Sequence, residues 1–339
     1  IINPCNYVFL FDRQTYLEFK KENIPTVYYM PLAVNTSRLD KMTASAVSAS
    51  RHPLDFYRSD ISFVGTMYNE VHNLFDRMEH LSDYTKGYLQ GIMQAQMKVY
   101  GYYFIEELLS KEIIEDMQHS LPLQPRSDSV KSTEWLFAHY VIARKIANLE
   151  RTALLKAVSE HFNTKLYTPN PTPELPQIYN MGSVDYQRQM PYVFKNSAIN
   201  LNISLRSIRS GIPLRCFDIM GCGGFLLSNY QGDFYEHFIP GEDLVLFDSQ
   251  EDFLNKCDYY LKHDNERLQI TANGYGKVKE FHTYEVRLKE IFEVVLFTFY
   301  LSPYNMLSIL QHSHSEAAEL HYKYPHNSNP TISFAPVFE

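Results

Sequence analysis

The stretch from Ile199 to Asn229, INLNISLRSIRSGIPLRCFDIMGCGGFLLSN, limits what this chain can become more than any other. Ile199, Leu201 and Ile203 alternate with Asn200, Asn202 and Ser204, which predicts a strand over 199–203. A central parallel strand usually carries apolar residues on both faces, and a buried amide without a partner is costly. The asparagines therefore need either cross-sheet hydrogen bonds or a ligand. The loop 205–212 follows, then a predicted helix over 213–222 with Pro213 in its first turn. Gly221, Gly223 and Gly224 end that helix and turn the chain into a second strand over 224–228. Strand, loop, helix and strand in this order belong to a parallel sheet covered by helices.

The same rhythm extends to both sides. Strands are predicted at 61–65, 164–168, 178–184 and 243–247, with a helix over 185–195 capped by Asp185 and two further helices after 250. The fold class expected is α/β, a Rossmann-like, doubly wound parallel sheet. Residues 73–151 show helical spacing throughout and read as a helical insertion covering one face of the sheet. At the N-terminus, a strand at 7–12, a helix at 13–22 and a strand at 26–30 form one β-α-β step, the end or remnant of another Rossmann-like domain. Residues 35–60, with their repeated Ser and Ala, read as a polar, turn-rich linker. The expected organisation is an N-terminal remnant with linker over 1–45, a main domain over 46–300, and a tail of uncertain order over 301–339. The chain begins at Ile1, almost inside a strand, so it is expected to start partway through a longer protein.

Composition removes several classes of function. A net charge of -8 argues against a general nucleic-acid binder. Cys5, Cys216, Cys222 and Cys257 form no C-x-x-C pair and have no histidines at zinc spacing, so no metal site is expected. They suit reduced thiols in a cytoplasmic protein. No transmembrane run and no signal peptide are visible.

In an open parallel sheet, ligands bind beyond the carboxyl ends of the strands. Gly65 follows the strand at 61–65, where it serves either a tight turn or a phosphate loop. Gly182 and Tyr186 follow the next candidate strand end. Tyr186 could flank a base or a sugar, or the segment is a plain β-to-α turn. Asn202 sits at the end of the strand at 199–203. Arg206, Arg209 and Gly211 then lead to Arg215 at the start of a helix, and guanidinium forks near a helix N-terminus suit a diphosphate. The alternative for these arginines is a solvated basic face. Asp218, on the same helix, could accept both hydroxyls of a ribose or pair with a neighbouring arginine. No G-x-G-x-x-G fingerprint, P-loop lysine or G-x-S-x-G elbow occurs, which weighs against a nicotinamide enzyme.

The run from Ile199 to Asn229, together with FYEHFIPGEDLVLFDSQEDFLNKCDYYLKHDNERLQITANGYGKVKEFHTYEVRL, resembles the C-terminal half of a GT-B glycosyltransferase. More narrowly it is similar to CgeB-like (spore maturation) proteins with a group 1 glycosyltransferase domain. The resemblance is good over about 160–293 and looser over the DISFVG strand and the N-terminal step. It implies two Rossmann-like domains facing across a cleft, with the nucleotide diphosphate sugar, such as a UDP-sugar, held by the C-terminal one without a bound metal or other cofactor. It further implies that Asp218 matches the second acid of the family's paired-glutamate motif, at the ribose. Arg206, Arg209 and Arg215 become the candidates for the diphosphate, and Gly65 matches the glycine loop that opens the domain. Two features depart from the pattern. The acid is aspartate, and Ser210 stands where the first glutamate belongs. The expected activity is hexose transfer from a nucleotide sugar to a glycan or surface-protein acceptor, with this chain as the donor-binding half and the catalytic residue unassigned. The alternative is a non-catalytic spore or cell-surface protein that keeps the nucleotide-binding fold.

Overall fold

The structure, a computed structural model, describes residues 3, 5–48, 54–127, 129, 131–300 and 331–334. Its first unit is the expected β-α-β step. Strand β1 (Asn6–Leu10) is buried through its three middle residues and leads at once into helix α1 (Arg13–Lys21). Asp12 caps α1 by accepting from the Thr15 amide at 2.9 Å, while Lys20 and Lys21 in the last turn suit the helix's negative end. Strand β2 (Val27–Tyr29) then pairs with β1 in parallel.

The linker expected at 35–60 is in large part a helix, α2 (Thr36–Ser48). The Asn35 side chain accepts from the Arg38 amide at 2.9 Å and so starts it, and Leu39 is buried in the main core. Residues 36–48 contain neither Gly nor Pro, and alanine is the best helix former. The Ser and Ala content that suggested a linker is compatible with a helix once a cap and a buried anchor are supplied. Residues 49–53 lie outside the described residues.

Six parallel strands then form the main sheet: β3 (Ser59–Val64), β4 (Thr164–Tyr167), β5 (Tyr179–Asn180), β6 (Ser197–Asn202), β7 (Leu226–Asn229) and β8 (Val245–Phe247). Their order is β5-β4-β3-β6-β7-β8, with Ile61 beside Ile199 and Phe63 beside Leu201 in the central pair. The sheet is therefore the doubly wound α/β arrangement that the sequence predicted. One face packs Ile61, Phe63, Ile199, Leu201 and Leu227 with Leu154, Leu155, Phe253 and Ile270; the other packs Val64, Tyr167 and Leu226 with Phe194, Phe217 and Met220. The amides at β6 find cross-sheet partners. Ser62 donates to Asn200 at 2.8 Å, and Asn200 donates to the Phe194 carbonyl at 3.0 Å.

Between β3 and β4 lie α3 (Asp83–Met97), α4 (Ile105–Leu108), α5 (Lys111–Ser120), α6 (Thr133–Leu136), a wider π-type turn over Phe137–Ile142, and α7 (Ala143–Ser159). These helices fill the span between two strands of the sheet, and they do not all pack on it. α7 puts Leu154, Leu155 and Val158 against the sheet. Most of the insertion builds a core of its own around Leu89, Ile105, Ile113, Met117 and Phe137.

After the sheet's midpoint come α8 (Met190–Asn196), α9 (Leu214–Gly221), α10 (Phe234–His237), α11 (Gln250–Lys262), α12 (Asp264–Phe281) and α13 (Tyr284–Tyr300). The helix expected from Asp185 starts later, at Met190. Asp185 instead holds a turn, accepting from the amides of Gln187 at 3.0 Å and Arg188 at 2.6 Å. Of the expected tail, a strand β9 (Thr331–Phe334) pairs with β1, and residues 301–330 and 335–339 lie outside the described residues.

The N-terminal unit and α13 meet through Tyr7, Phe9, Met30 and Ile291, and a polar seam runs alongside. The Tyr29 hydroxyl donates to Asp233 at 3.2 Å and lies 2.8 Å from His237 Nε2. Arg287 donates to His282 Nδ1 and, at 2.7 Å, to the Pro31 carbonyl. Burial, and after it the charge of Arg287, hold His237 down to about 4 and His282 down to about 3. In the unfolded chain both titrate near 6.5. As pH falls below about 6.5 the unfolded chain binds protons that the folded one refuses, so this part of the stability is full above that pH and is lost progressively towards about 4 for His237 and about 3 for His282. The melting temperature is expected to fall between about pH 7 and pH 5, and to fall less steeply in His282→Gln. A flat profile in scanning calorimetry would contradict this.

Candidate functional site

Strand order reverses between β3 and β6, and the chain leaves these two neighbours in opposite directions across the sheet. Such a reversal opens a crevice beyond the carboxyl ends. A cavity of about 250 Å³ lies there, lined by Gly65 and Thr66 after β3, Tyr167 of β4, Asn202 of β6, Arg151 of α7 and Arg215 of α9, with Ser183 and Val184 beside them. Among the described residues no carboxylate lines it.

Arg151 is 8% exposed. Its Nε and Nη2 donate to the Ile203 carbonyl at 3.1 and 2.6 Å, and its Nη1 donates to the Thr66 carbonyl at 2.6 Å. The guanidinium thus ties together the two loops that leave β3 and β6, and it lies over the rings of Phe63 and Tyr68. Among the described residues no carboxylate comes within ion-pair reach of it. Three of its five N–H groups are used by these carbonyls, leaving two. Arg151 carries no local signal of this role: it sits inside the helical span, where an arginine beside a glutamate looks like a solvated face.

The cavity holds Gly65, Asn202 and Arg215 of the residues singled out from the sequence. Gly65 donates to the Tyr167 carbonyl at 3.1 Å, and its place beside the Phe63 ring leaves little room for a side chain. Asn202 donates to Ser204 and Ser228, both at 2.9 Å. Arg215 lies over Phe194 and donates to the Met190 sulfur. Tyr167, 2% exposed, has a hydroxyl with no hydrogen-bond partner among the described residues. Gly182 adopts φ 76° in the turn just before Ser183 and Val184.

Tyr186 and Asp218 line a second, smaller cavity of about 180 Å³, together with Asn35 and Arg38 from the start of α2. The Tyr186 hydroxyl donates to Asp218 at 2.8 Å. Burial, then the Asp218 charge, push the phenol's pKa well above its ordinary value, so it stays a donor to the carboxylate. Both are candidate residues by sequence, but nothing in their spacing indicates that they touch.

Arg206, Arg209 and Gly211 do not line either cavity. Arg206 is buried, forked onto Glu150 at 2.7 and 2.9 Å, and laid 3.9 Å over Tyr100. Arg209 pairs with Glu18 of α1. The Gly211 amide donates to Asp12 at 3.1 Å. Two of the three arginines expected at the diphosphate thus hold the loop after β6 in place, each against a glutamate distant in sequence. Among the described residues no group of three or more His, Cys, Asp or Glu could hold a metal ion, and no helix is long and apolar enough to cross a membrane.

Residues 145–293 match a family model described as glycosyl transferase-like. No curated protein matches the chain significantly. Among solved structures, sucrose-phosphate synthase from Thermosynechococcus elongatus is similar at 14% identity and a TM-score of 0.46, over 89% of this chain and 60% of that one. A glycosyltransferase from Rickettsia africae aligns at 9% identity and a TM-score of 0.41, over 88% and 65%. Anabaena HepE in complex with UDP aligns at 7% identity and a TM-score of 0.42, over 85% and 63%. The chain therefore spans about 60 to 65% of the length of these structures.

Proposed function

We propose that the crevice between β3 and β6 takes the diphosphate of a nucleotide sugar, and that this chain is the donor-binding half of a cytoplasmic glycosyltransferase. The observation that carries this is Arg151. A buried guanidinium without a carboxylate is expensive unless an anion completes it, and this one lines a cavity at the strand-order reversal with two N–H groups left over. Arg215 and the N-terminus of α9 add positive potential beside it. Charge building on a departing diphosphate would be stabilised by such fixed groups. Gly65 and Asn202 then shape the pocket, Gly182 the turn at its rim, and Tyr186 and Asp218 the ribose end. The match of 145–293 to the glycosyl transferase-like model supports sugar transfer. A hexose as the group moved, a glycan or surface protein as acceptor, and a CgeB-like role in the spore belong to the same proposal.

One observation favours a second, non-catalytic reading. Ser210, which stands where the family has its first acid, is tied into the fold: its hydroxyl accepts from the Gln14 amide at 3.1 Å and its carbonyl from the Asp233 amide at 2.9 Å.

Titration calorimetry with UDP, ADP and GDP tests the first claim. At least one is expected to bind with a dissociation constant of about 100 µM or tighter, about -5.5 kcal/mol. Absence of binding by all three would overturn the donor site. Where one binds, transfer or hydrolysis of its sugar conjugate separates the catalytic reading from the second one.

A further inference from the structure

The Asp12 carboxylate, 6% exposed, sits in a cup of backbone amides. Its Oδ2 accepts from three successive N–H groups, those of Arg209 at 2.7 Å, Ser210 at 3.1 Å and Gly211 at 3.1 Å. Its Oδ1 accepts from Thr15 at 2.9 Å. Successive amides converging on one point make an anion-binding concavity, and here the anion is part of the chain, about two hundred residues away in sequence. Gly211 permits the approach, because a Cβ there would come within 2.9 Å of the Asp12 Cα and of the Phe11 ring. Two more amides at the start of α1 reach across the same seam, Arg13 to Asp233 at 3.2 Å and Gln14 to Ser210 at 3.1 Å.

The loop held this way joins β6 to α9. Its first half is fixed from the main domain, through Arg151 on the Ile203 carbonyl and Glu150 on Arg206. Its second half is fixed from the N-terminal unit, through Asp12. α9 begins at Leu214, and the next residue, Arg215, lines the crevice. We propose that residues 209–211 form an oxyanion cradle whose resident ligand is the Asp12 carboxylate, and that this internal anion sets where α9 begins, coupling the seating of the β1–α1 unit to donor binding. Asp12 is thus a positioning residue. The cradle stands independently of the donor site, while the coupling rests on it.

Chemical rescue separates a cradle from ordinary packing. Asp12→Ala leaves the three amides without an acceptor and opens a space that formate, with the same pair of oxygens, fits. Asp12→Asn fills that space, and because both carboxylate oxygens accept from N–H groups, either orientation of the carboxamide points a donor at a donor. Against sodium chloride at equal ionic strength, formate is expected to raise the melting temperature of Asp12→Ala and not that of the wild type or of Asp12→Asn. Whichever of UDP, ADP or GDP binds the wild type is expected to bind both variants about tenfold more weakly. Formate restores the affinity of Asp12→Ala alone. If Asp12→Ala folds only when refolded with formate, the cradle is supported; failure to fold with and without formate overturns it, as does a folded Asp12→Ala that formate leaves unchanged, or an Asp12→Asn that melts like the wild type. A wild type that binds no nucleotide removes the donor site and the coupling, and the melting data alone then decide the cradle.

Discussion

Arg151→Met is expected to weaken nucleotide binding by about a hundredfold or more, the cost of removing one partner from a buried charge pair. The methionine keeps most of the buried stem against Phe63 and Tyr68, so the loss falls on the guanidinium. The carbonyls of Thr66 and Ile203 lose their donor at the same time. That costs about 1–3 kcal/mol of stability, a loss that a denaturant melt reports separately from binding. Arg151→Lys keeps the charge but replaces a planar fork by a point donor that cannot hold both carbonyls and a ligand together. It is expected to recover part of the affinity, to about tenfold below wild type. Calorimetry on the folded variants decides the matter. Wild-type affinity in Arg151→Met would show that the diphosphate lies elsewhere.

The main sheet was legible because its signals are local. Alternation at 199–203, proline at the start of α9 and the glycines after it each act within a few residues, and the structure has β6, α9 and β7 there. Gly223, at φ 67°, closes the helix where the sequence put its end. α2 was hidden because its cap, Asn35, and its buried anchor, Leu39, sit among residues that favour loops as readily as helices. The candidate site was harder for another reason. Whether an arginine is available to a ligand depends on partners that periodicity cannot locate. Arg206 and Arg209 stand near a helix N-terminus and look like anion ligands, yet Glu150 and Glu18 take them. Arg151 looks like surface, yet it is buried and lines the crevice. Tyr186 and Asp218, 32 residues apart, meet only because α8 and α9 pack on the same face of the sheet.

Glu150→Ala is expected to be the most destabilising single change at the Arg206 side of this loop, by about 3–5 kcal/mol. The two side chains of the pair are 6% and 4% exposed. Arg206 donates twice to Glu150, and also to the carbonyls of Val99 at 3.1 Å and Met97 at 3.2 Å. The Tyr100 hydroxyl donates to the same carboxylate at 2.8 Å, and burial followed by the Glu150 charge keeps that phenol protonated well past its ordinary range. The pair therefore joins the end of α3, helix α7 and the loop after β6. Removing the glutamate strands a buried guanidinium and a half-buried hydroxyl, and three segments lose their common anchor. Replacing both charges, as Glu150→Met with Arg206→Met, removes the stranded cation and is expected to recover most of the loss, since two desolvated charges cost nearly as much as they return. Urea midpoints for the two single variants and the double variant give the coupling between them. If Glu150→Ala melts like the wild type, the pair is not a structural bolt, and Arg206 regains its standing as a ligand for the diphosphate. If the single change is severe and the double one mild, Arg206 is held by the fold, and under the proposed donor site the positive charge falls to Arg151 and the start of α9.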